Sequence, residues 1–169
     1  MKTERFTFEG HGGHKLAARL DMPEGPHLAT AIFAHCFTCS KDITAARRIS
    51  ARLTTMGYAV LRFDFTGLGH SEGEFENTSF SSNVADLMAA HAALCARDMQ
   101  PTLMIGHSLG GAAVLKATAQ LAGIKAVVTI GAPADVTHVT HNFAAALTEI
   151  NANGVAEVDL GGRTFRISQ

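Results

Sequence analysis

Four short runs of the chain, at residues 30–34, 58–63, 102–105 and 126–130, are apolar almost throughout. Continuous runs of this length mark strands buried on both faces of a parallel sheet. Between them the apolar positions switch to helical spacing. Ile43, Ala46, Ile49, Leu53 and Met56 form one stripe, with Arg47, Arg48 and Arg52 off it on a solvated face, and Gly57 closes that helix as a left-handed cap. Val84, Leu87, Met88, His91, Leu94 and Cys95 form a second stripe after Ser79, on which His91 reads as a satisfied core histidine. Residues 5–9 and 15–21 alternate instead, around Phe6 and Phe8 and around Leu16 and Leu20. Across the turn-like Gly10-His11-Gly12-Gly13-His14 this predicts an antiparallel hairpin. His11 and His14 have no third ligand nearby and read as a solvated turn. Strand and helix alternating in this way predict an α/β fold, a mostly parallel sheet with helices on both faces.

After Gly131-Ala132-Pro133 the rhythm changes. A polar helical stretch is expected over 136–150, then two strands at 155–160 and 163–167 that turn at Gly161-Gly162. The expected division is a core at 1–135 and a lid-like piece at 136–169. With 169 residues the chain suits one domain, able to bury about 70% of its unfolded surface. The net charge is -1 and no basic stripe appears, which argues against nucleic acid or an anionic membrane as partner. No apolar run approaches the ~20 residues of a membrane span, and the first residues lack a signal-peptide core, so a cytoplasmic location is expected. Cys36, Cys39 and Cys95 cannot all pair internally. Cys36-Phe37-Thr38-Cys39 spells C-x-x-C, but it follows a strand and no second pair accompanies it. Small, inert, buried thiols are expected there, rather than a redox or zinc site. No metal or other cofactor is expected.

Chemistry enters at Gly106-His107-Ser108-Leu109-Gly110. An apolar strand leads into it and the helical Gly111-Ala112-Ala113-Val114-Leu115 leads out. A strand and a helix joined by Gly-x-Ser-x-Gly have the layout of a nucleophile elbow, a sharp turn that holds the serine clear of the sheet at a helix N-terminus. A side chain stands at Ser108, where dinucleotide loops need bare backbone, and this weakens a nucleotide-binding reading. Acyl transfer by serine also needs a base, an orienting acid and N–H donors for the oxyanion. The Leu109 N–H, next after Ser108, is one expected donor. The second should come from the loop after the 30–34 strand, with Phe37 preferred and Cys36 the fallback. His35, at the end of that strand, is expected to orient or support the loop and not to act as base.

With these motifs in hand, the chain resembles the α/β-hydrolase family. Gly106-His107-Ser108-Leu109-Gly110-Gly111 is similar to the family's elbow, and Asp64-Phe65-Thr66-Gly67-Leu68-Gly69-His70-Ser71 to its Asp-x-x-Gly-x-Gly-x-Ser loop. His35-Cys36-Phe37 stands where members usually carry His-Gly-x, so Cys36 departs from the pattern. The resemblance covers residues 1–135. It is strongest to the serine aminopeptidase and monoacylglycerol-lipase-like branch, and to the hydrolase half of bacterial fusions with an osmotically-induced-protein-C domain.

The resemblance implies a serine hydrolase acting on an ester, thioester or small amide, with Ser108 as nucleophile and Phe37 and Leu109 as oxyanion donors. It also implies an acid after the seventh strand and a histidine base after the eighth. Only six strands are expected before residue 131, so the chain reads as the N-terminal portion of such a fold. Asp135 is the candidate acid, and His138 and His141 are the candidates for the base. A non-catalytic interaction module on the same fold is the alternative. The 126–130 strand would be an open sheet edge, from which a homo-oligomer is expected.

Overall fold

The computed structural model describes residues 1–135, 144–160 and 162–168. Strands β1 (Lys2–Glu9) and β2 (Lys15–Met22) form the expected antiparallel hairpin, in register from Lys2 opposite Met22 to Glu9 opposite Lys15. β2 continues antiparallel onto β4 (Tyr58–Phe63). β3 (Ala29–Ala34) lies parallel between β4 and β5 (Pro101–His107), and β6 (Ala126–Ile130) runs parallel to β5. The sheet order is β1-β2-β4-β3-β5-β6.

The period of two along the central strands sorts the core onto two faces. Ala31, Phe33, Val60 and Ile105 pack with Ala46 of helix α1 (Thr44–Thr55) on one side. Ile32, Ala34, Leu61, Phe63 and Met104 pack on the other against helices α2 (Phe80–Cys95) and α3 (Leu109–Thr118), through Leu87, Leu94, Ala113 and Val114. The runs of β3, β4 and β5 are therefore strands covered on both faces, whereas the run at 126–130, expected to be buried likewise, is mostly exposed in β6, with Val127 alone half-buried among its residues. The N-terminus of α2 is closed by a reciprocal capping box. The Ser79 hydroxyl accepts from the Ser82 N–H (3.2 Å), and the Ser82 hydroxyl accepts from the Ser79 N–H (2.8 Å).

Helix α1 packs the expected Ile43, Ala46, Ile49 and Leu53 on the core and departs from the expected stripe at Ser50, Thr54 and Met56. It buries Ala46, Ser50 and Thr54, keeps Ile49 and Leu53 half-buried, and leaves Met56 exposed. The buried hydroxyl has a reason: Ser50 donates to the buried carboxylate of Asp21 (2.5 Å). Gly57 does close the helix, at φ 87°, with its N–H on the Thr54 carbonyl (3.1 Å).

Beyond β6 the expected 136–150 helix is redrawn. Residues 136–143 lie outside the described residues, and helix α4 spans Leu147–Asn153, closed by Gly154 at φ 77°. Strands β7 (Val155–Asp159) and β8 (Thr164–Ser168) pair antiparallel as a separate two-stranded sheet. That hairpin rests on the turn Phe75–Asn77. Phe165 packs on Phe75 (centroids 5.0 Å apart), and Arg166 pairs with Glu76 (2.9 Å). Among the described residues no strand pairs with the outer edge of β6, where Val128 and Ile130 are exposed.

Candidate active site

β5 ends at His107 and α3 begins at Leu109, so Ser108 alone makes the turn between them, at φ 54° and ψ -124°. A side chain at positive φ costs about 1–3 kcal/mol, and it persists only where its surroundings impose it. Here they do. The Ser108 N–H is held by the Ile130 carbonyl of β6 (2.8 Å), and the Ser108 carbonyl accepts from Gly111 N–H (2.8 Å). The flanking glycines are bare because the backbones touch. A Cβ on Gly106 would lie 2.3 Å from the Gly110 carbonyl oxygen, and one on Gly110 would lie 2.3 Å from that of His35. Ser108 is half-buried, and among the described residues its hydroxyl makes no hydrogen bond.

The close approach of Gly110 to His35 brings the start of α3 against the loop that follows β3. Phe37, Cys36, Leu109 and Gly110 share one small cavity, of about 10 Å³, floored by Phe65 and Ala113. That is room for roughly one water molecule. Among the described residues, neither the Phe37 N–H nor the Leu109 N–H has an acceptor. The Leu109 N–H also sits in the first turn of α3, where the helix dipole favours negative charge. The structure thus brings Ser108, Leu109 and Phe37 to one corner of the sheet.

Loop 35–42 is held by a buried polar network. His35 is fully buried, donates from Nδ1 to the Cys36 carbonyl (2.8 Å) and accepts at Nε2 from the Phe65 N–H (3.4 Å), a neutral tautomer. Burial, foremost, pushes its pKa below the usual imidazole range, against the opposing pull of the Cys36 carbonyl and Asp64. Asp64, also fully buried, accepts from the Lys41 N–H (2.6 Å), the Lys41 ammonium (2.5 Å) and the His70 N–H (2.9 Å). Burial alone would raise its pKa. The bonds from Lys41 and His70 outweigh that and hold the carboxyl below its usual range. Arg62 donates to the Lys41 carbonyl (2.7 Å) and to Asp21 (2.8 Å). Asp86, buried on α2, accepts from Thr66 N–H (2.9 Å) and His11 N–H (2.8 Å), tying the Asp64–Ser71 loop to the N-terminal turn.

Two expectations need correction or limitation here. Cys36 and Cys39 are not free thiols: they form a disulfide with Cα atoms 5.3 Å apart, and Cys95 alone is free. A turn in which Cys39 N–H bonds the Cys36 carbonyl (3.1 Å) brings the two side chains together. Asp135 follows β6 and is exposed, while His138 and His141 lie outside the described residues. Among the described residues no cluster of three metal-ligating side chains occurs, and no helix is long and apolar enough to cross a membrane. Lys41, Arg62, Asp21 and Asp86 were not picked out from the sequence as site residues. Arg62 carried the one visible signal, a charge inside the apolar run 58–63.

The family described as "Serine aminopeptidase, S33" matches residues 26–164. The esterase domain of a Rhodothermus marinus protein is 47% identical, with a TM-score of 0.71, over 98% of this chain and 65% of that one. XC6422 of Xanthomonas campestris, described as an α/β serine hydrolase without a lid, is 26% identical with a TM-score of 0.71, over 80% of this chain and 64% of that one. Est1E of Butyrivibrio proteoclasticus, solved with ferulic acid bound, is 26% identical with a TM-score of 0.75, over 95% and 66%. The chain therefore spans less than two thirds of the length of each of these structures. No curated protein matches it significantly.

Proposed function

The chain belongs to the serine aminopeptidase S33 family of α/β hydrolases, and on that premise we propose that it is an acyl hydrolase whose nucleophile is Ser108. The observation that carries the reading is the backbone of Ser108 itself, at φ 54° on a strand–helix turn closed by contacts that only Gly106, Gly110 and Gly111 permit. In the reaction, Ser108 Oγ attacks the carbonyl carbon of an ester, thioester or small amide. The tetrahedral oxyanion accepts hydrogen bonds from the Phe37 and Leu109 N–H groups, which are otherwise without acceptors among the described residues. Collapse expels the alcohol, thiol or amine, and water then releases the acyl group from the serine.

The family order places acid and base after the seventh and eighth strands of the sheet, and the sheet described here has six. We therefore propose slow turnover by this chain alone, roughly 10⁴–10⁶ below a complete triad, resting on binding and the oxyanion donors. Asp135 is the candidate acid. Turnover at ordinary enzymatic rates would assign the base to His138, His141 or a second chain.

A fluorophosphonate probe followed by intact mass tests the nucleophile directly. A single adduct, formed slowly in keeping with the slow turnover proposed above, located on Ser108 and absent from a folded Ser108→Ala variant, is the expected result. An adduct that persists in that variant would refute the assignment. No adduct in either protein even after prolonged exposure to excess probe would favour a non-catalytic interaction module on the same fold.

A further inference from the structure

The Cys36–Cys39 disulfide spans Phe37, and none of the chemistry above uses it. We propose that this pair is a reversible thiol–disulfide site that sets the position of the Phe37 N–H: formed, it holds the oxyanion donor in its working place, and opened by a small dithiol, it releases it. The catalytic consequence rests on the acyl-transfer reading; the coupling of the disulfide to Phe37 does not.

The loop is built so that the crosslink governs only its middle. At one end His35, fully buried, holds the Cys36 carbonyl (2.8 Å). At the other, Lys41 is fixed through three bonds: its N–H and ammonium to Asp64, and its carbonyl from Arg62. The Lys41 anchor survives loss of the disulfide, and the His35 bond is what then remains to hold the 36–37 peptide. Between them the chain has the Cys39 N–H on the Cys36 carbonyl (3.1 Å), and a long bond from Arg163 of the β7–β8 turn to the Thr38 carbonyl (3.3 Å). Thr38 sits at φ 60°, a conformation costly for a β-branched side chain. With the crosslink open, Thr38 is free to return to negative φ. Between His35 and Lys41 that rotation has to be taken up by neighbouring torsions, including those about the 36–37 peptide; its carbonyl and the Phe37 N–H lie in one plane, so the N–H moves as the carbonyl turns on its bond to His35.

Both cysteines are half-buried, within reach of a small reagent. One thiolate of a dithiol attacks one sulfur of the pair, the S–S bond breaks, and the other cysteine leaves as thiolate. The second thiolate of the reagent then displaces the first cysteine. Two electrons and two protons pass to the protein, and the dithiol closes to a cyclic disulfide. The effect would also reach the hairpin, because the Phe37 ring packs on Phe75 (5.3 Å) and Phe75 packs on Phe165 (5.0 Å).

The test compares air-oxidised protein with protein treated with dithiothreitol. Alkylation and intact mass should modify Cys95 alone in the first and all three cysteines in the second. In protein labelled with ¹⁵N-phenylalanine, the Phe37 amide signal, identified by its loss in Phe37→Leu, should move on reduction and return on reoxidation. Fluorophosphonate labelling of Ser108 should slow about ten-fold on reduction, part of the ~10²–10³ lost when an oxyanion donor is removed outright. The double variant C36S/C39S should label at the slow rate with or without dithiothreitol. Full alkylation of the oxidised protein would overturn the proposal. So would an opened disulfide that leaves both the Phe37 signal and the labelling rate unchanged. Absence of labelling in both states would sink the acyl-transfer reading alone, with the Phe37 signal still deciding the coupling.

Discussion

Asp64→Asn is the sharpest probe of what holds the loop that carries Phe37. The substitution keeps the shape of the side chain and removes only its charge and half its acceptor capacity. One oxygen of Asp64 accepts from the Lys41 N–H, and the other from the Lys41 ammonium and the His70 N–H. An asparagine has to point its NH₂ at one of these two donor sets, so at least one bond becomes a donor-to-donor clash whichever way the amide turns. It also strands the Lys41 ammonium, which is 5% exposed and whose other acidic neighbour, Asp42, stands 3.7 Å away. Removing one partner of a buried pair costs roughly 3–5 kcal/mol, because the remaining charge is left uncompensated. For a chain of this length that is a fall of roughly 6–20 °C in Tm.

Far-UV circular dichroism during urea and thermal unfolding is the suitable assay, since the chain has no Trp and one Tyr. Lys41→Met completes a double-mutant cycle. The Lys41→Met change should cost much less in the Asp64→Asn background than in the native protein, because there it removes a stranded charge. A loss below about 0.5 kcal/mol for Asp64→Asn, or an additive cycle, would refute the argument that this pair supports the loop.

Two further outcomes follow from the same structure. His35 has a depressed pKa in the folded protein, so its contribution to stability is full above the ordinary value of 6.5 and is lost as pH falls from there towards the folded value. The unfolding free energy from urea titrations should drop between pH 7 and 5, by up to about 1.4 kcal/mol per pH unit from this group, and less steeply in His35→Asn; equal slopes in the two proteins would remove His35 from the account. The outer edge of β6, unpaired among the described residues and with Val128 and Ile130 exposed, should pair with a second copy. Light scattering should report association that Val128→Lys weakens, and a monomeric native chain at high concentration would count against it.

How far the sequence alone reached depends on the range of the interactions involved. The strand–turn–helix around Ser108 was legible because its requirements are local. Gly106, Ser108 and Gly110 stand within five residues, and the strand and helix that give them meaning are their immediate neighbours. The central strands were legible because burial on both faces leaves few polar positions, Thr30 and Arg62 among them, to confuse the period. The α1 stripe was legible at Ile43, Ala46, Ile49 and Leu53, which pack on the core, but not at Ser50, buried by a carboxylate 29 residues earlier, nor at Met56, which is exposed. The same reason hid the network under the loop: Lys41 meets Asp64 across 23 residues, and Arg62 meets Asp21 across 41. A charge in an apolar run announces that a partner exists and leaves open which one. The disulfide was misread for a subtler cause. A C-x-x-C spacing fits free thiols and a crosslink equally well, and the choice turns on a left-handed Thr38 that no propensity favours. What these failures share is location. Lys41, Asp64, Arg62, Thr38 and the two cysteines all position one loop, and that loop presents the Phe37 N–H to the corner where Ser108 stands. The group that would react is encoded by its neighbours in sequence, and the groups that would aim the oxyanion donor are assembled only by folding. Substitutions in the second set should therefore change rate and stability together, without touching the motif by which the site is found.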